Sequence, residues 1–69
     1  MINILGKNYI TDKEAAQRYG YSRSWFIFQR NKKQGPKFVK LNKKGKILYP
    51  VDETDNWFRK ILEQNTYLI

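Results

Sequence analysis

The chain contains no cysteine and no histidine. Without cysteine, neither a disulfide nor a thiolate metal site can stabilise its 69 residues, which fits a reducing cytoplasm. Without histidine, the usual zinc-finger ligand sets and the commonest general base are missing as well. Since only six Asp and Glu are present, a catalytic constellation is hard to assemble. We therefore expect neither an enzyme nor a metal or cofactor site.

Acidic residues are scarce and unevenly placed. Fourteen Lys and Arg against six Asp and Glu give a net charge of +8. Ten of the basic residues lie between Arg18 and Lys46, and no acidic residue lies there. A solvated face normally mixes both signs, so this one-sided run predicts a polyanionic partner.

Long apolar runs are also missing. The longest runs from Trp25 to Phe28, so nothing resembles a signal peptide or a membrane-spanning helix. An anionic membrane surface would suit a basic protein, but the lysines alternate with strand and turn signals instead of lining an amphipathic helix. We expect no membrane partner.

The length predicts a single domain over residues 1–69, with a core over about 9–63. Residues 1–8 are predicted to be an extended lead-in or short strand, and residues 64–69 a tail. The tail ends in three apolar residues, Tyr67 to Ile69, which either fold back or contact a partner.

A first helix is predicted over residues 12–19. Thr11 and Glu14 fit the capping-box pattern before it, and Gly20 is a natural left-handed stop after it. Ser22 is a second N-cap candidate, for a helix over about 23–33. Two helices joined by a tight corner that contains glycine are typical of a helix-turn-helix.

In a helix-turn-helix, the N-terminal part of the second helix enters the major groove of DNA. Arg suits guanine and Gln suits adenine, because each side chain can make two hydrogen bonds with one base. The candidate DNA contacts of this helix and the corner before it are Tyr21, Ser22, Arg23, Ser24, Trp25, Gln29, Arg30 and Lys33.

The four apolar residues from Trp25 to Phe28 cannot all share one helical face. We expect Phe26 in the core. At least one of Trp25, Ile27 and Phe28 is then exposed or covered by another element. Core packing is the favoured interpretation for any one of these side chains, and contact of an aromatic ring with a sugar or a thymine methyl group is the alternative.

A basic β-hairpin is predicted after Gly35 and Pro36, which end the second helix. Two apolar runs, 38–41 and 46–49, flank a loop that contains glycine. A single lysine there is explained by solubility, but four together indicate a wing that reaches phosphate or the minor groove. The candidate contacts of the wing are Lys40, Asn42, Lys43, Lys44 and Lys46.

A third helix is predicted after Asp52, which we expect to be its N-cap, with Asp55 three residues on. Its apolar face is predicted to pack on the first helix and the hairpin and consists of Trp57, Phe58, Ile61 and Leu62. Its predicted water-facing residues are Arg59, Lys60, Glu63 and Gln64.

This order of elements resembles the small winged helix-turn-helix proteins of the AlpA and excisionase group, relatives of the MerR DNA-binding domain. The matching runs are Tyr9 to Ala16, Gly20 to Ser24, Gly35 to Leu41, and Tyr49 with Trp57. The resemblance implies an α+β winged helix-turn-helix with three helices and a two-stranded β-hairpin wing between helices 2 and 3. It also implies binding through the second helix, at Ser22 to Ser24, and through the wing.

The resemblance further implies a role in prophage or integrative-element biology. As an excisionase, the protein would bind double-stranded DNA in copies on adjacent sites, bend it and assist an integrase. As a regulator, it would act on transcription of mobile-element genes. The basic composition leaves two other classes open: an RNA-binding protein, and a protein-interaction module such as an antidote that uses its apolar tail.

Overall fold

The computed structural model describes residues 1–65, which form an α+β domain with three helices and a four-stranded antiparallel sheet. The predicted roles of Tyr67 to Ile69 lie outside the described residues. In chain order the elements are β1 (Ile2–Ile4), β2 (Lys7–Ile10), α1 (Asp12–Tyr19), α2 (Arg23–Asn31), β3 (Val39–Lys40), β4 (Ile47–Pro50) and α3 (Val51–Gln64).

The sheet has the order β1-β2-β4-β3. The strands of the predicted hairpin pair with each other, with Val39 opposite Leu48. However, β4 also pairs with β2, where Ile10 lies opposite Tyr49. The expected two strands are therefore half of a larger sheet. The predicted lead-in, residues 1–8, supplies β1 and only the first half of β2, and the residues of β2 that pair with β4 lie beyond it. Burial explains this, because Leu48 and Tyr49 of β4 are almost fully buried and lie between two neighbouring strands.

A two-residue turn joins β1 to β2. Both of its residues have positive φ, 52° at Leu5 and 81° at Gly6, as hairpin turns that match the twist of a sheet require. Leu5 is 99% exposed, so it contributes nothing to the core.

Helix α1 begins and ends as predicted. The Thr11 hydroxyl accepts a hydrogen bond from the Glu14 amide, and the Glu14 carboxylate accepts one from the Thr11 amide. Gly20 ends the helix in the left-handed conformation, with φ of 75°. The N-terminal amine of Met1 forms an ion pair with Glu14. The Glu14 carboxylate accepts hydrogen bonds from this amine and from the Thr11 amide, and both bonds lower the pKa of the Glu14 carboxyl group.

Helix α2 begins as predicted, because the Ser22 hydroxyl accepts a hydrogen bond from the Trp25 amide. It ends at Asn31, two residues earlier than expected. Lys33 has a φ of 57°, its amide donates to the Arg30 carbonyl, and the Gln34 amide donates to the Gln29 carbonyl. This pair of hydrogen bonds is a Schellman motif, in which Lys33 occupies the position usually taken by glycine.

The prediction that Asp52 caps α3 is wrong. The helix begins at Val51 directly after β4, and its N-cap residue, Pro50, makes no side-chain capping bond. Asp52 lies in the first turn, and the buried Thr54 hydroxyl donates to the Pro50 carbonyl at 2.7 Å. The strand therefore continues into the helix without the loop that a capping residue would start.

The core lies between the sheet and the helices and is built around Ile10, Ala15, Phe26, Tyr49 and Val51. Phe26 is 1% exposed, which confirms its predicted place. The third helix packs on β2 and β4, and α1 packs on α2, β2 and β4.

The third helix follows its predicted amphipathic pattern with one exception. Phe58 packs against the core, whereas Leu62 is 67% exposed, so its predicted burial is wrong. All four of the predicted water-facing residues of α3 are exposed.

Candidate nucleic-acid interface

Acidic residues form ion pairs that join distant parts of the fold. Lys7 pairs with Glu53, and Arg18 with Asp55. Tyr19 also donates a hydrogen bond to Asp55 at 2.7 Å, and its burial raises the pKa of the Tyr19 hydroxyl to about 12. The hydrogen bond from Arg18 lowers the pKa of the Asp55 carboxyl group. These contacts tie α3 to β2 and α1.

We define residues 22–46 as the basic segment. It holds nine of the fourteen Lys and Arg and none of the six Asp and Glu. The rest of the chain therefore has five basic and six acidic residues, a net charge of −1. The whole excess of positive charge lies in α2, the hairpin and the loop between them.

Eight of these nine cations are exposed and form no ion pair with any residue in 1–65. They are Arg23, Lys32, Lys33, Lys37, Lys40, Lys43, Lys44 and Lys46. A concentration of unpaired cations of this kind repels itself and attracts polyanions.

Arg30, one of the predicted DNA contacts, is the exception, because its guanidinium has partners within the protein. Its guanidinium donates to the Asp12 carboxylate at 3.0 Å and to the Tyr49 hydroxyl at 2.8 Å. It also lies over the Phe38 ring, 5.6 Å from the centroid. The side chain is only 16% exposed, so its donors are used inside the protein. Arg30 fixes α2 against α1, β4 and the start of the hairpin.

Three further predicted contacts lie toward the interior or in aromatic packing. Trp25 is partly buried. Its ring stacks on the Tyr21 ring, with 4.4 Å between the ring centroids, and its centroid lies 6.0 Å from that of Phe58. Gln29 is partly buried beside Gly35, where an added Cβ would lie 3.0 Å from the Gln29 Cβ. Trp25 and Gln29 therefore have less surface available for a base than the exposed residues of α2, whereas Tyr21 remains 46% exposed.

The outward face of α2 differs in part from the predicted one. Its exposed residues are Arg23, Ser24, Ile27, Phe28 and Asn31, which we call the outer face. Residues 23, 27 and 31 are four apart, as are 24 and 28, so they follow one side of the helix. Asn31 was missed as a candidate, although its spacing from Arg23 was readable in the sequence.

The turn of the β3–β4 hairpin is held by its own hydrogen bonds. The Asn42 side-chain oxygen accepts from the Lys44 amide at 3.1 Å, and the Asn42 carbonyl accepts from the Gly45 amide at 2.9 Å. Asn42 thus shapes the turn rather than only offering a contact. The turn leaves Lys43, Lys44 and Lys46 exposed, while the stem of Lys40 lies against Gly45.

No family model matches the chain, and the searches of characterised proteins and of solved structures found no match either. Within residues 1–65, no group of three or more acidic side chains is arranged to hold a metal ion. No helix in that range is long and apolar enough to cross a membrane.

Proposed function

We propose that this protein binds double-stranded DNA through the outer face of α2 and the lysines of the β3–β4 hairpin. The observation that carries the proposal is the basic segment, whose eight exposed cations lack an acidic partner within residues 1–65. Contacts between such cations and phosphates release counterions, which supplies affinity for any duplex.

The order α1, tight corner, α2 and hairpin supports a winged helix-turn-helix arrangement for this binding. In that arrangement α2 enters the major groove and the hairpin contacts the flanking backbone. Arg23 and Asn31 lie on the outer face, and their side chains suit guanine and adenine respectively. Each good bidentate contact contributes about 1–3 kcal/mol of discrimination between bases.

The biological role that we propose is that of an excisionase in the cytoplasm of a host cell carrying a phage or integrative element. A module of 69 residues offers a small footprint, so useful occupancy calls for copies on adjacent sites or an integrase partner. The energetic cost of bending the DNA would be offset by the added contacts between neighbouring copies of the protein and with the DNA. The protein itself would perform no catalysis. The second candidate, regulation of transcription, uses the same surface on a different target.

The first experiment measures affinity for a duplex as a function of salt. Replacing Lys43 and Lys44 together by Ala should weaken binding to every sequence and reduce the slope of log K against log salt by about 1.8, since each phosphate contact contributes about 0.9. The matched control replaces Lys13 and Lys60, which are also exposed but lie outside the basic segment. Equal slopes for the two double variants would reject the hairpin as a contact surface.

The second experiment tests the role of α2. Because Arg23 opens the proposed recognition helix, Arg23→Ala should weaken binding to a selected duplex more than to a scrambled one. Equal losses on both would reject base recognition by Arg23. Competition with single-stranded and A-form RNA separates this proposal from an RNA-binding function, which predicts a preference for those ligands.

Footprinting on the DNA that flanks the gene separates the two biological roles. Protection at an attachment site, in several adjacent copies, is expected for an excisionase. Protection confined to a promoter would favour the regulator instead.

A further inference from the structure

Two large apolar side chains lie on the outer face of α2. Ile27 is 39% exposed and Phe28 is 53% exposed, although both belong to the most apolar run of the chain. Neither belongs to the core cluster, in which Phe26 alone represents this helix among the buried residues. Their exposure is therefore not explained by the packing of residues 1–65.

The surroundings of these two side chains restrict what can cover them. Both lie within the basic segment, which contains no acidic residue. Arg23 shares their face, and the Lys32 ammonium lies 4.6 Å from the centroid of the Phe28 ring. A partner that covers Ile27 and Phe28 must therefore bring negative charge and apolar groups to the same place.

Duplex DNA meets both requirements in its major groove. Its phosphates are anionic, and the C5-methyl group of thymine is the apolar group presented on the base edges of that groove. Uracil lacks this methyl group, so RNA does not offer the same contact. Asn31 lies one turn from Ile27 on the outer face and suits adenine, the base paired with thymine.

We propose that Ile27 and Phe28 select thymine by contact with its methyl group, and that Asn31 reads adenine beside them. The DNA site is then marked by A·T pairs at the positions that face the middle and the C-terminal end of α2. This inference rests on the proposed function, and it names which bases that surface recognises.

The test begins with selection of a duplex from a random library by the full chain. Each thymine of the selected site is then replaced singly by deoxyuridine, which removes one methyl group and leaves base pairing intact. We expect a loss of about fourfold in affinity at one or two thymines, the amount associated with burying one methyl-sized apolar group.

Double-mutant cycles assign the contact to a side chain. Ile27→Ala and Phe28→Ala should each bind more weakly than the unchanged protein and should each abolish the uridine effect at one position. Leu5→Ala is the matched control, because Leu5 is an exposed apolar residue outside the basic segment. That variant should keep the full uridine effect.

The possible outcomes separate the two proposals. Specific, salt-dependent binding with no uridine effect at any thymine would overturn the thymine contact and leave DNA binding intact. A uridine effect that persists in both Ile27→Ala and Phe28→Ala would also overturn it, since the methyl groups would then act through other residues or through DNA shape. Failure to bind any duplex in a salt-dependent way would overturn both proposals.

Discussion

The basic segment and the rest of residues 1–65 treat charge in opposite ways. Outside the segment, acidic and basic side chains nearly balance, and pairs such as Lys7–Glu53 and Arg18–Asp55 join separate elements. Inside it, Arg30 is the one cation with an acidic partner among the described residues, and that partner lies in α1. The paired cations Lys7, Arg18 and Arg30 join separate elements of the fold, whereas the unpaired cations of the basic segment leave an exposed and uncompensated positive charge.

The largest expected effect is on the free energy of unfolding, and it concerns Arg30, the one cation of the basic segment with an acidic partner among the described residues. Arg30→Ala leaves the Asp12 carboxylate and the Tyr49 hydroxyl without their shared donor, and both Arg30 and Asp12 are less than a fifth exposed. We expect a loss of about 2–3 kcal/mol in the free energy of unfolding. Chemical denaturation followed by circular dichroism measures it.

The control for this prediction is Arg23→Ala, on the same helix and with the same charge. Arg23 is exposed and forms no ion pair with residues 1–65, so its removal should change stability by less than about 0.5 kcal/mol. Similar losses in the two variants would contradict the distinction between paired and unpaired cations.

The next effect compares the helix starts of the two regions. Thr11 caps α1 in a reciprocal pair with Glu14, whereas Ser22 caps α2 with a single hydrogen bond to the Trp25 amide. We expect Thr11→Ala to cost about 1–2 kcal/mol and Ser22→Ala about 1 kcal/mol. Thermal denaturation of the two variants provides the comparison, and a larger loss for Ser22→Ala would contradict it.

A smaller effect is expected at Lys33, where one substitution should change the free energy of unfolding and the affinity for DNA in opposite directions. Lys33 has the left-handed conformation with φ of 57°, in which glycine is not strained. Lys33→Gly should therefore raise the free energy of unfolding by up to about 1 kcal/mol, while it weakens DNA binding through the lost charge. Lys37→Gly is a control that removes a nearby exposed charge. A variant of Lys33 that is both less stable and unchanged in affinity would contradict this prediction.

The smallest effect is a pH dependence in the balanced region. The pKa of Asp55 is lowered in the folded state, chiefly by its hydrogen bond from Arg18. Its contribution to stability is therefore fully present above the unfolded pKa of about 3.9, and is lost as the pH falls through the lower folded value. Between neutral pH and a pH below the folded-state pKa of Asp55, the Asp55→Asn variant should therefore lose less of its free energy of unfolding than the unchanged protein. Identical acid dependence in the two proteins would contradict the linkage.

Local signals predicted much of the fold. The capping pair Thr11 and Glu14, the stop at Gly20 and the cap at Ser22 act within a few residues of one another, so their effect can be read from the sequence. Phe26 was assigned to the core from its place one helical turn after Ser22, and it is buried.

Features that depend on distant residues were not readable. The β2–β4 pairing has only two residue pairs, Tyr9 with Pro50 and Ile10 with Tyr49, and no local pattern marks it. The partner of Arg30 is 18 residues away in α1, so its side chain looked like any other cation of the segment. At the start of α3, the strand runs directly into the helix at Val51. The sequence around Asp52 does not show this junction, so Asp52 resembled an N-cap although it lies in the first turn of the helix.

The direct junction between β4 and α3 has a mechanical consequence. Pro50 ends the strand and Val51 begins the helix, so no loop can absorb a rotation of one against the other. A helix of 14 residues is about 21 Å long. The Lys7–Glu53 and Arg18–Asp55 ion pairs also fasten the first half of α3 to β2 and α1. The junction and these pairs therefore hold α3 and the sheet together as one rigid unit, in which the helix cannot pivot independently of β4.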